Sequence, residues 1–249
     1  MLFNSLDFVL LLGSVLALYF FLDRRRQNLL LLAASYVFYG FWNWRFLALV
    51  FFAAVVDYTA GRGIAAARTE RGRRAWVICS VAFNLGILAY FKYLGFFLES
   101  AVALLERLGV SANVPMLEIV LPVGISFFTF QSMSYIFDVY RGRVPATKSL
   151  TDYLLYVSFF PQLAAGPIER AERLLVQFQN ERTVTADGVY RGLLLLLWGL
   201  FKKVAVADNL GVYVDAVYGN HEQHGGLSLL FAVVLLGQQL GAQFIYFQF

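Results

Sequence analysis

Charge is what this sequence has least of: Asp, Glu, Lys and Arg together make up 14% of its 249 residues, against about a quarter in an ordinary soluble domain. That scarcity excludes a water-facing exterior of the usual kind. Hydrophobic residues fill 60% of the chain instead. Apolar runs recur from Phe8 to Phe249, and the first shows no small-residue cleavage site, so a removable leader does not account for them. The expected fold class is all-α, a polytopic bundle of transmembrane helices.

Cysteine occurs once, at Cys79 within an apolar segment, which excludes an intrachain disulfide. Histidine occurs twice, at His221 and His224 in the polar stretch "GNHEQHGG". No Cys or carboxylate cluster at metal spacing accompanies them, so no metal is expected and both read as loop residues. A glycine-rich phosphate cradle, a GxSxG elbow and a basic, aromatic-interleaved pattern are all missing, and with them any reason to expect a nucleic-acid partner. Proline occurs five times. Two of the five, Pro161 and Pro167, fall inside one short stretch, "SFFPQLAAGPIERAERLLVQF" (Ser158 to Phe178).

What is present in quantity is apolar helix. Phe8 to Leu22 is long enough for a first span, closed by Arg24 to Arg26. The run Leu29 to Val56 is too long for one, and its central "FWNWR" has the Trp and Arg of an interface, so it reads as a two-helix hairpin. Ala75 to Leu98 and Glu118 to Phe137 follow as single spans. This path brings Arg24 to Arg26, Arg68 to Arg74 and Arg141 to Lys148 to one side, the cytoplasmic one, and leaves the N-terminus outside. The expected location is a bacterial inner membrane. Gly188 to Tyr218 carries Lys202 and Lys203 in its middle, which leaves one tilted span or two short segments open.

Tyr153 to Phe160 is oily but too short to cross. Pro161 and Pro167 each remove a backbone donor, and Gly166 adds freedom, so the expectation is a broken or re-entrant helix walled in by other spans. An amphipathic helix over Ile168 to Gln179, lying along the interface, should follow. A kinked helix with no ligand is the plainer alternative. Among ionisable groups at depth, Asp57 and Asp138 read as solvated or paired carboxylates near helix ends, Lys92 as a snorkelling side chain, and Asp208 as a further candidate. Gln131, Ser132 and Ser134 in "FTFQSMS" either glue neighbouring helices or line a polar path.

Five stretches, "NLLLLAASYVFYGFWNWRFL", "NLGILAYFKYLGFF", "LPVGISFFTFQSMSYIFDVYRG", "FFPQLAAGPIERAERLLVQF" and "GLFKKVAVADNL", resemble in order and spacing the membrane-bound O-acyltransferase family, in its alginate O-acetylation branch. The resemblance covers nearly the whole chain, read as a single, incomplete domain of that type over 1–249. It implies a helix bundle around a tunnel, with an acyl donor, here acetyl, used as substrate on one face and a polysaccharide hydroxyl modified on the other. No bound cofactor is implied, and the partners would be membrane lipid, periplasmic acetylation proteins and the polysaccharide acceptor. The Pro-rich break resembles the segment lining the cytoplasmic side of that tunnel. Gln131, Ser132, Pro161, Gln162, Gly166 and Pro167 are accordingly the tunnel-lining candidates. The family's catalytic histidine belongs to a later motif, expected beyond Phe249, and neither His221 nor His224 matches it. The competing readings are a transporter or channel with a broken-helix site, and a non-catalytic scaffold.

Overall fold

A computed structural model of the chain describes residues 3, 5–108, 120–163, 166–219 and 225–227. They are helical throughout, with no strand among them, as a chain must be that has to satisfy its backbone polar groups within hydrocarbon. Two helical stretches, Arg45–Ala66 and Glu70–Val102, are long and apolar enough to cross a membrane. The chain divides into two units, Met1–Glu181 and Arg182–Phe249.

In the first unit, α1 (Leu6–Tyr19) starts at Ser5, whose hydroxyl accepts from the Phe8 amide. Helices α2 (Arg24–Asn43) and α3 (Arg45–Ala66) meet at Trp44, within the "FWNWR" interface signal. Helix α4 (Glu70–Leu88), capped by Thr69, runs through a π-helical turn, Ala89–Tyr93, into α5 (Leu94–Arg107) without interruption. The span expected from Glu118 begins later, as α6 (Ile125–Tyr140). Pro122 and Gly124 set that start, the latter at φ 72°, a conformation only glycine adopts freely.

Helix α7 (Leu150–Ser158) begins at Ser149, which caps Asp152. It stops at Phe159 (ψ 111°), one turn re-forms as α8 (Phe160–Leu163), and the chain resumes as α9 (Ala171–Gln179) after Gly166 and Pro167. The broken helix expected at this point is present. The amphipathic helix is shorter than expected, and its apolar stripe, Ala171, Leu174, Leu175 and Phe178, is buried. Phe178 packs edge-on against Phe159, so protein covers the face that the sequence reading assigned to the interface.

The core gathers α3, α6 and α7. Phe128, Tyr135, Ile136, Tyr153, Leu155 and Tyr156 are fully enclosed, and the rings of Tyr135 and Tyr153 lie 4.7 Å apart. Small residues let the spans approach: a β-carbon at Gly61 of α3 would come within 2.8 Å of the Tyr135 ring, and one at Gly63 within 2.3 Å of the Trp76 indole. In lipid, where tails are as apolar as Leu, such close fit is the main source of helix association.

At one end of this unit the basic segments are tied to neighbouring elements. Arg24 donates to the Phe178 carbonyl at 3.1 Å and stands 3.9 Å from Asp152, and Asn28 donates to Asp152 at 2.7 Å. Arg73 donates to the Tyr140 carbonyl, and Tyr58 donates to the Lys148 carbonyl at 2.9 Å.

The second unit contains α10 (Ala186–Phe201), a π-helical stretch Lys202–Ala207, and α11 (Asp208–Gly219). They form one continuous helix rather than two separate segments, although it is not among the helices apolar enough to cross a membrane. Asn209 donates to the Val204 and Ala205 carbonyls at 3.3 and 3.0 Å, taking up acceptors that the wider π turns leave free. Lys203 pairs with Asp208. No residue of α10 is buried. His221, His224 and the final apolar run beyond Leu227 lie outside the described residues.

Candidate functional site at the helix break

A helix broken inside a bundle leaves orphan amides and carbonyls, and each needs a partner that is not water. At Phe159 one amide is met by another helix and others by local carbonyls. The Phe160 amide donates to the Ser35 hydroxyl of α2 at 3.1 Å. The Gln162 and Leu163 amides both reach back to the Phe159 carbonyl at 2.9 Å, and the Gly166 amide bonds the Gln162 carbonyl at 2.8 Å. Gln162 then bridges the break: its Nε2 donates to the Pro167 carbonyl at 2.7 Å and to Gln131 Oε1 of α6 at 3.2 Å. Gln131 donates in turn to the Tyr156 carbonyl, and the Tyr156 hydroxyl donates to the Glu169 carbonyl at 3.1 Å. Buried amides and a phenol thus hold the interrupted chain in one shape, as a fully satisfied polar network can.

The break opens on a cavity of about 370 Å³, lined by Phe159, Pro161, Gln162, Gly166, Pro167, Glu169, Arg173, Leu174 and Gln177. Its size matches a site for a small organic group or an extended chain. Four of the six sequence candidates, Pro161, Gln162, Gly166 and Pro167, come together on its wall. Gln131 stands behind that wall, 1% exposed and bonded to Gln162. Ser132 faces elsewhere, within 3.5 Å of the Tyr153 hydroxyl. Gly166 allows the close turn, since a β-carbon there would fall 2.7 Å from Gln162.

Three polar wall residues escaped the sequence reading: Glu169, Arg173 and Gln177. The signal was available, because Arg173 and Gln177 lie on the polar side of α9 and Glu169 just before it. They supply the cavity with an acid, a base and an amide. No group of three or more His, Cys, Asp or Glu that could hold a metal occurs among the described residues.

The membrane-depth carboxylates are more varied than expected. Asp57 is neither solvated nor paired with a cation: it is fully buried and accepts from Ser80 and from Asn84 at 2.8 and 3.0 Å. The reason lies in its helix. The small residues that let α3 pack closely also seal Asp57 from water. Asp138 is buried and pairs with Arg143 at 3.8 Å. Lys92 is exposed beside the Tyr93 ring.

Known proteins resemble this chain along its whole length. A Pseudomonas putida protein named "Probable alginate O-acetylase AlgI" is 39% identical over 252 residues, covering 100% of this chain and 50% of its own. Its namesake in Pseudomonas aeruginosa is 40% identical over 252 residues, covering 100% of this chain and 47% of its own. These relatives are membrane-bound O-acyltransferases, the family that the five stretches resemble. The chain is a membrane protein, as its relatives are. A peptidoglycan O-acetyltransferase of Helicobacter pylori matches 79% of this chain at 33% identity. The chain spans about half the length of the curated relatives it matches. No protein-family model matches it, and no solved structure does.

Proposed function

We propose that the protein acts in O-acetylation of an extracytoplasmic polysaccharide, alginate or a similar polymer, as part of a membrane O-acyltransferase. The observation that carries this reading is similarity over the whole of this chain, at 39–40% identity, to about half of proteins named for alginate O-acetylation. The cavity at the helix break is the entry for the acyl donor. A donor that brings an acetyl group to a membrane interior needs a walled path with a few fixed polar groups. Gln162 presents an amide held by Gln131 and Pro167, and Arg173 offers a cation for an anionic portion of the donor. Removing a proton from the acceptor hydroxyl requires a general base that titrates near neutrality, for which a histidine is suited. His221 and His224 lie outside the described residues.

The protein resides in the bacterial inner membrane with its N-terminus outside, and works with periplasmic acetylation proteins that receive or present the polymer. Disrupting the gene that encodes this chain should remove O-acetyl groups from the secreted polysaccharide, read by proton NMR, while the polymer itself is still made. Unchanged acetylation overturns the reading.

A further inference from the structure

A second cavity, of about 340 Å³, lies away from the helix break, between the C-terminal half of α6 and the start of α9. Phe130, Met133, Ser134, Phe137, Asp138, Arg141, Arg143 and Arg170 surround it, so three guanidinium groups face one carboxylate. That carboxylate, Asp138, has one oxygen 3.8 Å from Arg143 and the other, buried, without a hydrogen-bond partner among the described residues. Arg141 and Arg170 are exposed and form no salt bridge among the described residues.

The order of residues along α6 is as informative as the charge. Positions 130, 133, 134, 137 and 141 fall on one helical stripe, since three and four residues make about one turn. The stripe runs from half-exposed rings, Phe130 (44%) and Phe137 (39%), to the guanidinium of Arg141, about 16 Å along the axis at 1.5 Å per residue. Apolar wall and cationic end are therefore arranged in line. A soluble anion would use the arginines and leave the rings idle. A molecule with an acyl chain and an anionic head would use both.

We infer that this groove is a binding site for an anionic phospholipid, its phosphate between Arg141 and Arg170 and one acyl chain along Phe130, Met133 and Phe137. Arginine suits phosphate because its planar fork donates two parallel hydrogen bonds. Basic pockets between membrane helices are a recognised setting for anionic head groups. The site shares no residue with the cavity at the helix break, and the inference does not rest on the acyltransferase reading.

The test is native mass spectrometry of the full 249-residue chain, released from detergent after titration with dioleoylphosphatidylglycerol or dioleoylphosphatidylcholine. Wild type should retain phosphatidylglycerol in preference to phosphatidylcholine. The double variant Arg141→Gln, Arg170→Gln should lose roughly 30-fold in that preference, from two surface arginines acting on one head group. The variant Arg141→Lys, Arg170→Lys, which keeps both charges, should retain most of it, and Arg74→Gln, outside the groove, should match wild type. Equal retention of the two lipids by wild type, or an undiminished preference in the glutamine variant, overturns the proposal. Displacement of the lipid by millimolar inorganic phosphate would also overturn it, in favour of a soluble phosphate ligand. Circular dichroism showing wild-type helix content in both double variants keeps misfolding from imitating the expected loss.

Discussion

A carboxyl group fully enclosed among membrane helices, with no cation beside it, has to be held by neutral donors. Asp57 has them in the Ser80 hydroxyl and the Asn84 amide, with Ser132 adjacent. Truncating the carboxyl would strand both donors away from water, where each unmade bond costs about 1–3 kcal/mol. Asp57→Ala should therefore lower the melting temperature of the detergent-solubilised protein clearly. Asp57→Asn, whose amide oxygen still accepts, should lower it far less; equal losses in the two variants would show that the pairing matters little. Composition marked Asp57 as unusual, but not its partners. Ser80 and Asn84 lie on the following helix, and only the close approach of α3 and α4 brings them in. At the helix break the legible part was larger. Pro161, Gly166 and Pro167 could be picked from proline and glycine chemistry and Gln162 from the family resemblance, whereas Arg173 depends on which way α9 turns its polar face and Glu169 on the path of the chain just before that helix.

Among the elements, the interruption after α7 is the one the sequence announced most plainly, although the exact place differs. Proline collides with the carbonyl four residues back, so a ring at Pro161 keeps a regular helix from continuing unbroken from Val157 through Pro161. The chain yields at Phe159, where Ser35 is in position to take the freed Phe160 amide. Ser35→Ala should thus cost about 1–3 kcal/mol, the usual penalty for one buried amide left unmet. Ser35→Thr, which keeps the hydroxyl, should cost less if the methyl is accommodated. Thermal unfolding of the two variants, compared with Ser14→Ala on exposed α1 backbone, measures the difference; a loss in Ser35→Ala no greater than in Ser14→Ala would remove Ser35 from the account. The late start of α6 was not read from the apolar run, because hydropathy is blind to the left-handed turn at Gly124. The joining of α10 and α11 through a π stretch was equally hidden, since Lys202 and Lys203 look like an ending until Lys203 is seen paired with Asp208 and Asn209 bonded to the Val204 and Ala205 carbonyls.

At the scale of the molecule, the apolar runs and their basic punctuation gave the all-helical membrane architecture directly, because element length and hydropathy are properties of the chain itself. Which helix packs on which was not legible, being set by the fit of Gly61 and Gly63 against Tyr135 and Trp76. The contacts from Arg24 to Asp152, Arg73 to Tyr140 and Tyr58 to Lys148 join segments near all three basic clusters. A single cysteine introduced at Arg71 in a Cys79→Ser background should accordingly resist a membrane-impermeant maleimide in intact cells and react after permeabilisation. Reaction in intact cells would reverse the orientation proposed above. The helix from Glu70 to Arg107 has a further consequence. Its 38 residues, at 1.5 Å each, reach about 57 Å, close to twice the thickness of the hydrocarbon layer. Tilting absorbs part of the excess, and the charged turns of Glu70 to Arg74 and Glu99 to Arg107 take the rest into the head-group zones. Such a rod is clamped near one end by Arg73, and among the described residues no hydrogen bond ties its far turns to another element, so a sideways push on them acts with long leverage. The π turn at Ala89–Tyr93 is the weakest point at which that load can be relieved.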